Sequence, residues 1–310
     1  MLDFWRQGPQ GHEGLQGLGR VVFSSSVVDL ARGSAERSTV ARVGAFFKFT
    51  AESLFATLFP VECRLCAAPL LNVSRLPVCK DCLHNLKSFD SVLCRTCGES
   101  LPAPAALTDQ LCTSCEKAPP DFVRAIAYGA YENKLRDLIH LLKYRHISSA
   151  ASVLGALLAD RIQAAGLPPD AMLVPVPLHK SKFRLRGFNQ AEEIARVLRT
   201  RLKFRLEAGV LVRKRPTVSQ TGMTPLQRRE NVRGAFLVRP KYRRDLAGKT
   251  IILVDDVLTT GATVNECARV LRRAGVEAVY VATAARVTRI HRAHEFSFQA
   301  ALERAAGVAG

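Results

Sequence analysis

The sequence predicts an α/β fold: a parallel sheet wound by helices on both faces, with a small cysteine-rich module in front of it. Three observations lead there. Between residues 119 and 287, apolar runs of strand length alternate with amphipathic stretches of helical period, the pattern of a βαβ chain. Residues 251–254, Ile-Ile-Leu-Val, form a continuous apolar run that ends in two aspartates and a loop of small residues, as expected at the carboxyl end of a strand covered on both faces. Finally, eight of the nine cysteines fall into four C-x-x-C pairs.

Taken in order, residues 1–44 are rich in Gly, Ser and Arg, lack sustained periodicity and contain no continuous apolar segment of signal-peptide type, so they are read as a disordered extension. Residues 45–59 differ, with Phe at 46, 47, 49, 55 and 59 and Leu at 54 and 58. Their polar face lacks the Lys/Arg enrichment of an interfacial helix, which favours a short helix packed on the cysteine module over a membrane anchor. No apolar run is long enough to span a bilayer.

The module itself comprises Cys63/Cys66, Cys79/Cys82, Cys94/Cys97 and Cys112/Cys115. Two residues between thiolates let both sulfurs reach one ion from a tight knuckle, and a second knuckle after a short hairpin completes a tetrahedral Cys₄ set. Four knuckles therefore predict a double zinc ribbon, residues 45–118 with the preceding helix, holding two structural zinc ions. A redox C-x-x-C usually occurs once, beside a βαβ unit. Sequential pairing of the knuckles is the default, and spacing leaves an interleaved arrangement open. A module of about fifty residues has too small a core to stand alone, and zinc worth roughly 10–16 kcal/mol would supply the difference. Thiol-rich sites without an export signal predict a cytoplasmic protein.

The main domain, 119–287, reads as a strand at 123–128, a helix at 133–144 with apolar residues at 135, 138, 139, 141 and 142, and a helix at 149–165 ended by Gly166 and a Pro-Pro pair. A strand at 172–176, an extended loop at 179–190, a helix at 191–202, a strand at 210–213 and a polar stretch at 217–233 follow. The strand at 251–254, a helix at 264–274 and a last strand at 278–284 complete it, leaving 288–310 as a tail. Cys267 shares its helical face with Val264, Ala268 and Leu271 and is read as a small buried hydrophobe.

Charge is concentrated. Lys180 to Arg244 carry nineteen Lys/Arg against four Glu, most of the net charge of +18. Such a surface steers polyanions and supplies the salt-dependent part of nucleic-acid binding, although a solvated basic surface is an equal reading for any one cluster. Phe183 and Phe188 interleave with these basic residues and are placed either to stack on bases or to enter the core.

Residues 251–263 resemble the phosphoribosyl pyrophosphate (PRPP) signature of type I phosphoribosyltransferases: hydrophobics, two acids and a Thr-Thr-Gly-x-Thr loop. Leu142-Lys143-Tyr144, Val174-Pro-Val-Pro177, Arg186-Gly-Phe-Asn-Gln190, Thr217 with Gln220, Arg229 with Asn231-Val232, Gly234-Ala-Phe236 and Ala285-Arg286 join the four knuckles in resembling the ComF family of competence-associated proteins. The resemblance covers residues 54–287, and Ala67 stands where glycine is common after the first knuckle.

It implies a type I phosphoribosyltransferase fold, a Rossmann-like parallel sheet flanked by helices. It further implies that Asp255 and Asp256 hold ribose hydroxyls and that Thr259, Thr260, Gly261, Ala262 and Thr263 cradle the 5′-phosphate. Lys180, Lys182, Arg184 and Arg186 become candidates for the pyrophosphate side, Arg186 foremost, while Thr217, Gln220 and Arg229 lie in a closing flap. Mg²⁺ would accompany PRPP, as a hard cation on oxygen ligands. Three classes of function follow: a phosphoribosyltransferase with an unassigned acceptor, a single-stranded DNA-handling protein of DNA uptake that works with a competence helicase, and a PRPP sensor without chemistry.

Overall fold

In the computed structural model the first knuckle sits on an antiparallel hairpin, β1 (Val61–Glu62) with β2 (Pro69–Leu70). The second knuckle starts α1 (Lys80–His84), with Cys79 as its N-cap. The second half repeats the plan: an isolated Leu93–Ser100 bridge carries the third knuckle, and Cys112 caps α2 (Thr113–Lys117). The structure describes residues 61–70, 74–101, 110–215 and 223–288. The expectations for 1–44, for the helix at 45–59, for Thr217 and Gln220 and for the tail beyond 288 lie outside the described residues.

The first and third knuckles turn through the left-handed region one residue after their second cysteine, at Ala67 (φ 59°) and Gly98 (φ 69°). There an L-residue with a Cβ is disfavoured by roughly 1–2 kcal/mol. Ala67→Gly should therefore stabilise the zinc-loaded protein by about 0.5–1 kcal/mol after the extra backbone entropy of glycine is counted, read as a higher urea midpoint. An unchanged or lower midpoint would count against strain at this turn.

The domain begins with β3 (Arg124–Ala130), α3 (Asn133–Tyr144) and α4 (Ala150–Ala164), then β4 (Met172–Pro175), α5 (Lys180–Arg186), α6 (Gln190–Leu202) and β5 (Arg205–Leu206). A hairpin of β6 (Leu211–Arg213) and β7 (Phe236–Val238) encloses α7 (Pro225–Val232); α8 (Arg243–Leu246), β8 (Thr250–Leu258), α9 (Ala262–Arg273) and β9 (Ala278–Arg286) close the fold. The sheet order is β3-β9-β8-β4-β5, parallel throughout. Alternation along β8 divides its side chains between two cores. Ile252 and Val254 join Leu138, Leu142, Leu158 and Ile194 on one face, while Ile251 and Leu253 join Val264, Cys267 and Leu271 on the other.

The cysteine module is no separate bead. Cys63, Val78, Cys82 and Leu86 belong to the same core as Ile126 and Leu138, and the module's backbone runs along the edge strand β3. Phe89 N–H donates to the Tyr128 carbonyl at 3.2 Å and Ala125 N–H to the Thr96 carbonyl at 2.7 Å. Gly129 permits this approach, since a Cβ there would lie 2.4 Å from the Lys87 carbonyl oxygen.

Four local expectations are corrected. The strand read as 251–254 continues to Leu258, because β8 stays paired with β9 as far as Arg286; both aspartates therefore lie inside it. Residues 180–186, read as loop, form a helix capped by the His179 side chain, which accepts from Ser181 N–H. The strand near 210 belongs to the β6–β7 hairpin, outside the parallel sheet. Within the polar stretch 217–233, residues 225–232 are helical, started by a Thr224/Gln227 capping box.

Candidate sugar-phosphate site and metal centres

Chain direction through the sheet creates the site. From β4 the chain runs outward to β5, and from β8 it runs the opposite way to β9, so the loops at their carboxyl ends diverge and leave a crevice. Asp255 and Asp256 are in β8 at this crevice. Successive residues of a strand face opposite sides: Asp256 pairs with Lys143, while Asp255 lies in the field of Arg213 and Cys267 as well as of Lys143.

Lys143, at the end of α3, pairs with Asp256 at 2.9 Å, with side chains 16% and 13% exposed. Burial alone would lower the lysine, but the neighbouring carboxylates outweigh it and hold the ammonium above its ordinary value. For Asp255, burial first and the charge of Asp256 second push the carboxyl up to about 7. A hydrogen bond from Asp256 N–H at 2.9 Å, Lys143 and Arg213 oppose the rise.

On the other bank, Arg186 is held three ways. It donates to Gln190 Oε1 at 2.9 Å, lies 5.5 Å over the Tyr144 ring, and its carbonyl accepts from His146 Nδ1 at 2.9 Å. Asn189 anchors the same loop by donating to the Val176 carbonyl at 3.1 Å and capping α6. Burial, then Arg213, Arg186 and Lys143, lower Lys182, a sign that these cations converge. Lys182 and Arg186 are half-buried, whereas Lys180 and Arg184 are exposed. Phe188 packs against the core and Phe183 stays 48% exposed.

The Thr259–Thr263 segment turns from β8 into α9. Gly261 takes φ 79°, and Thr260 Oγ1 accepts from Ala262 N–H at 3.4 Å, so the first turn of α9 presents its N–H groups beside hydroxyls. Arg229 is exposed on α7, at the rim of a cleft that also contains Thr260, Gly261 and Ala262. Glu266, buried on α9, accepts from Gly234 N–H at 2.7 Å and from Arg269, which fastens the end of α7 to α9.

Two cations beside the aspartates were given no role by the sequence, though each left a trace. Lys143 follows Ile139 by four residues on the buried stripe of α3, and Arg213 shares a strand face with buried Leu211, its guanidinium 5.2 Å over Phe236. A cation on an apolar face signals a buried partner.

The eight paired cysteines form two tetrads, 63/66/79/82 and 94/97/112/115, with the sulfurs of each within 4.8 Å of one another. This is the sequential pairing. Contacts of 3.9 Å for Cys63–Cys82, 3.7 Å for Cys66–Cys79 and 3.6 Å for Cys97–Cys112 match the edge of about 3.8 Å of a tetrahedron with Zn–S near 2.3 Å. Each tetrad can hold a zinc ion. Cys267 is fully buried, as expected.

Residues 185–298 match the Phosphoribosyl transferase domain. The chain is 32% identical over 226 residues to DNA utilization protein YhgH of Escherichia coli, covering 72% of this chain and 95% of the relative. It is 30% identical to Competence protein F of Haemophilus influenzae, over 68% of this chain and 91% of that protein. It is 26% identical to Competence protein ComFC of Bacillus subtilis, over 64% of this chain and 79% of that protein.

Proposed function

Because this chain belongs to the ComF family, whose members carry a phosphoribosyltransferase domain and include proteins named for competence and DNA utilization, we propose that it binds PRPP with Mg²⁺ and acts as a phosphoribosyltransferase in DNA uptake or nucleotide metabolism. The observation that carries this reading is the Lys143–Asp256 ion pair at 2.9 Å, with Asp255, Lys182 and Arg213 in electrostatic contact with it and with one another, on the strand that leads from the two aspartates into the Thr259–Thr263 loop.

Each part has its task. The N–H groups of α9 and the threonine hydroxyls receive the 5′-phosphate, and the carboxylates of Asp255 and Asp256 accept from the ribose hydroxyls. Lys182, Arg186 and Arg213 take up charge on the departing pyrophosphate while the sugar passes through an oxocarbenium-like state. The donor set, two carboxylates of which one is already paired with Lys143, suits a hard cation that arrives on the polyphosphate of the substrate. With Mg²⁺ held there, Asp255 and Asp256 would place a dication able to offset charge on the pyrophosphate. Arg229, exposed on α7 in the cleft that contains Thr260 and Gly261, is placed to contact the ligand from that side.

A second reading rests on α5, which buries none of its residues and exposes Phe183 and Leu185 among Lys180, Lys182, Arg184 and Arg186. Such a surface fits single-stranded DNA, held electrostatically and by stacking.

Calorimetric titration of Mg²⁺ and PRPP into the full chain and into Asp255→Asn/Asp256→Asn tests the first reading. A charge-assisted hydrogen bond contributes roughly 1.5–3 kcal/mol, so affinity should drop at least about tenfold per carboxylate. Equal binding by both proteins would overturn the assignment of these residues. Absence of binding to either, with salt-dependent binding of an oligonucleotide retained, would favour the second reading. Binding without pyrophosphate release would favour a sensor.

A further inference from the structure

Arg286 joins two parts of the molecule that the proposed reaction treats separately. It is the last residue of β9, in register with Leu258, the last residue of β8 before the phosphate loop. Val287 N–H donates to the Leu258 carbonyl at 2.9 Å, which fixes the two strand ends together. The side chain runs back toward the second tetrad, where Nη2 donates to Glu99 Oε2 at 2.9 Å and to Cys97 Sγ at 3.5 Å. The Arg286 and Glu99 side chains are only 6% and 3% exposed.

Open space connects the same two places. A cleft of about 800 Å³ has Cys97, Cys112 and Cys115 on one wall and Thr260, Gly261 and Ala262 on another, with Arg286 among its lining residues. The first tetrad has no such link among the described residues. Cys63 and Cys82 face the core shared by α3 and α4, and a hydrogen bond from Tyr128 Oη to the Leu86 carbonyl at 2.8 Å ties that half to the sheet.

A guanidinium buried this deeply has little freedom to relocate, since packed interiors pass displacements on to their neighbours and an unpaired buried charge is costly. The position of Cys97 Sγ is set by its tetrad, Arg286 follows Cys97 and Glu99, and the end of β8 follows β9. We propose that the second tetrad and the phosphate loop are energetically coupled through Arg286, so that a metal at Cys94/97/112/115 and a phosphate ester on residues 259–263 each alter the binding of the other. Arg286 is a positioning residue in this scheme, and the two tetrads differ in role: the first holds the fold, and the second also adjusts the ligand site. The coupling rests on reading residues 259–263 as a sugar-phosphate cradle. It is reciprocal, as any linkage between two binding events must be.

The reciprocity gives the test. The full chain is loaded with cadmium in both tetrads and titrated with ribose 5-phosphate while the two cadmium resonances are followed by NMR. The signal of the second tetrad should shift on binding and that of the first should not. Arg286→Met should abolish the shift and weaken ribose 5-phosphate binding at least about fivefold, the lower end of typical coupling, with both cadmium ions retained. Arg286→Lys should restore part of both effects. Tyr128→Phe, which removes the tie near the first tetrad, should leave shift and affinity as in the wild type. Binding without any shift of the second signal, equal shifts of both, or the same loss in Tyr128→Phe would overturn the coupling.

If the wild type does not bind ribose 5-phosphate at all, the cradle reading fails, and hydrogen exchange of residues 258–263 then decides on the coupling itself. Faster exchange in cadmium-loaded Arg286→Met than in Tyr128→Phe supports it, and equal rates refute it.

Discussion

A chain stripped of metal by a strong chelator is expected to lose the sheet as well as the cysteine module. Zinc in each of the two tetrads, worth roughly 10–16 kcal/mol in small finger peptides, would match or exceed the roughly 5–15 kcal/mol by which a whole domain is normally stable. The packing leaves the sheet no independence from them, because Cys63, Cys82 and Leu86 are part of the core that buries α3.

The thiols alone cannot replace the ion. In the first tetrad burial opposes ionisation of Cys63, but N–H groups of Cys79 and Leu65 outweigh it and bring the thiol down to about 6, whereas burial, then the thiols around it, push Cys82 up to about 12. In the second tetrad the hydrogen bond from Cys97 lowers Cys94 to about 4, and Cys97 itself, for the same contact and for burial, is held well above the thiol range. Each metal-free tetrad thus has one readily formed thiolate beside a thiol that resists ionisation, instead of four thiolates around a dication. Far-ultraviolet circular dichroism during chelation should show a single loss of helix signal that includes α3 and α4. A native spectrum at zero bound metal would contradict this account.

Replacing Asp255 by asparagine should make the unliganded protein more stable at neutral and alkaline pH and flatten its pH dependence. An aspartate in an unfolded chain titrates near about 3.9, and the native carboxyl at about 7. Between those values the native state binds a proton that the unfolded state has released, so stability falls as pH rises through the window and levels off above it. At roughly 1.4 kcal/mol per pH unit, the window carries at most about 4 kcal/mol. The amide of the Asp255→Asn variant does not titrate, and the same substitution removes one proposed acceptor for a ribose hydroxyl, so stability would be gained where ligand binding is lost. Urea unfolding at about pH 5 and about pH 8 measures the slope. Parallel slopes for both proteins would mean that Asp255 ionises freely in the native state.

What the sequence disclosed tracks which forces act locally. The stripe of Leu135, Leu138, Ile139 and Leu142 gave α3 its bounds, because burying one face of a helix imposes a period that any window of the chain displays. The four knuckles paired in sequence order because each is a self-contained turn. Interactions between distant segments were harder to read. Nothing near residue 256 announces Lys143 as its partner, since that pairing depends on α3 ending at the carboxyl edge of β8. The run of apolar residues stops at Val254 although the strand does not: a strand can continue through charged residues when its neighbours satisfy them, and composition cannot display a neighbour. The α5 helix escaped for the opposite reason, since a seven-residue helix that buries nothing has no apolar period to detect.

The backbone of the cysteine module laid along β3 has one more consequence. That edge strand is already partnered, and the opposite edge, β5, is only two residues long. Short or covered edges prevent chains from adding to a sheet. Partners that bind by donating a strand, a common way for folded domains to capture extended peptides, therefore find little purchase on this sheet. Among the described residues, side chains and loop amides around the crevice therefore offer another macromolecule more to hold than the edges of this sheet do.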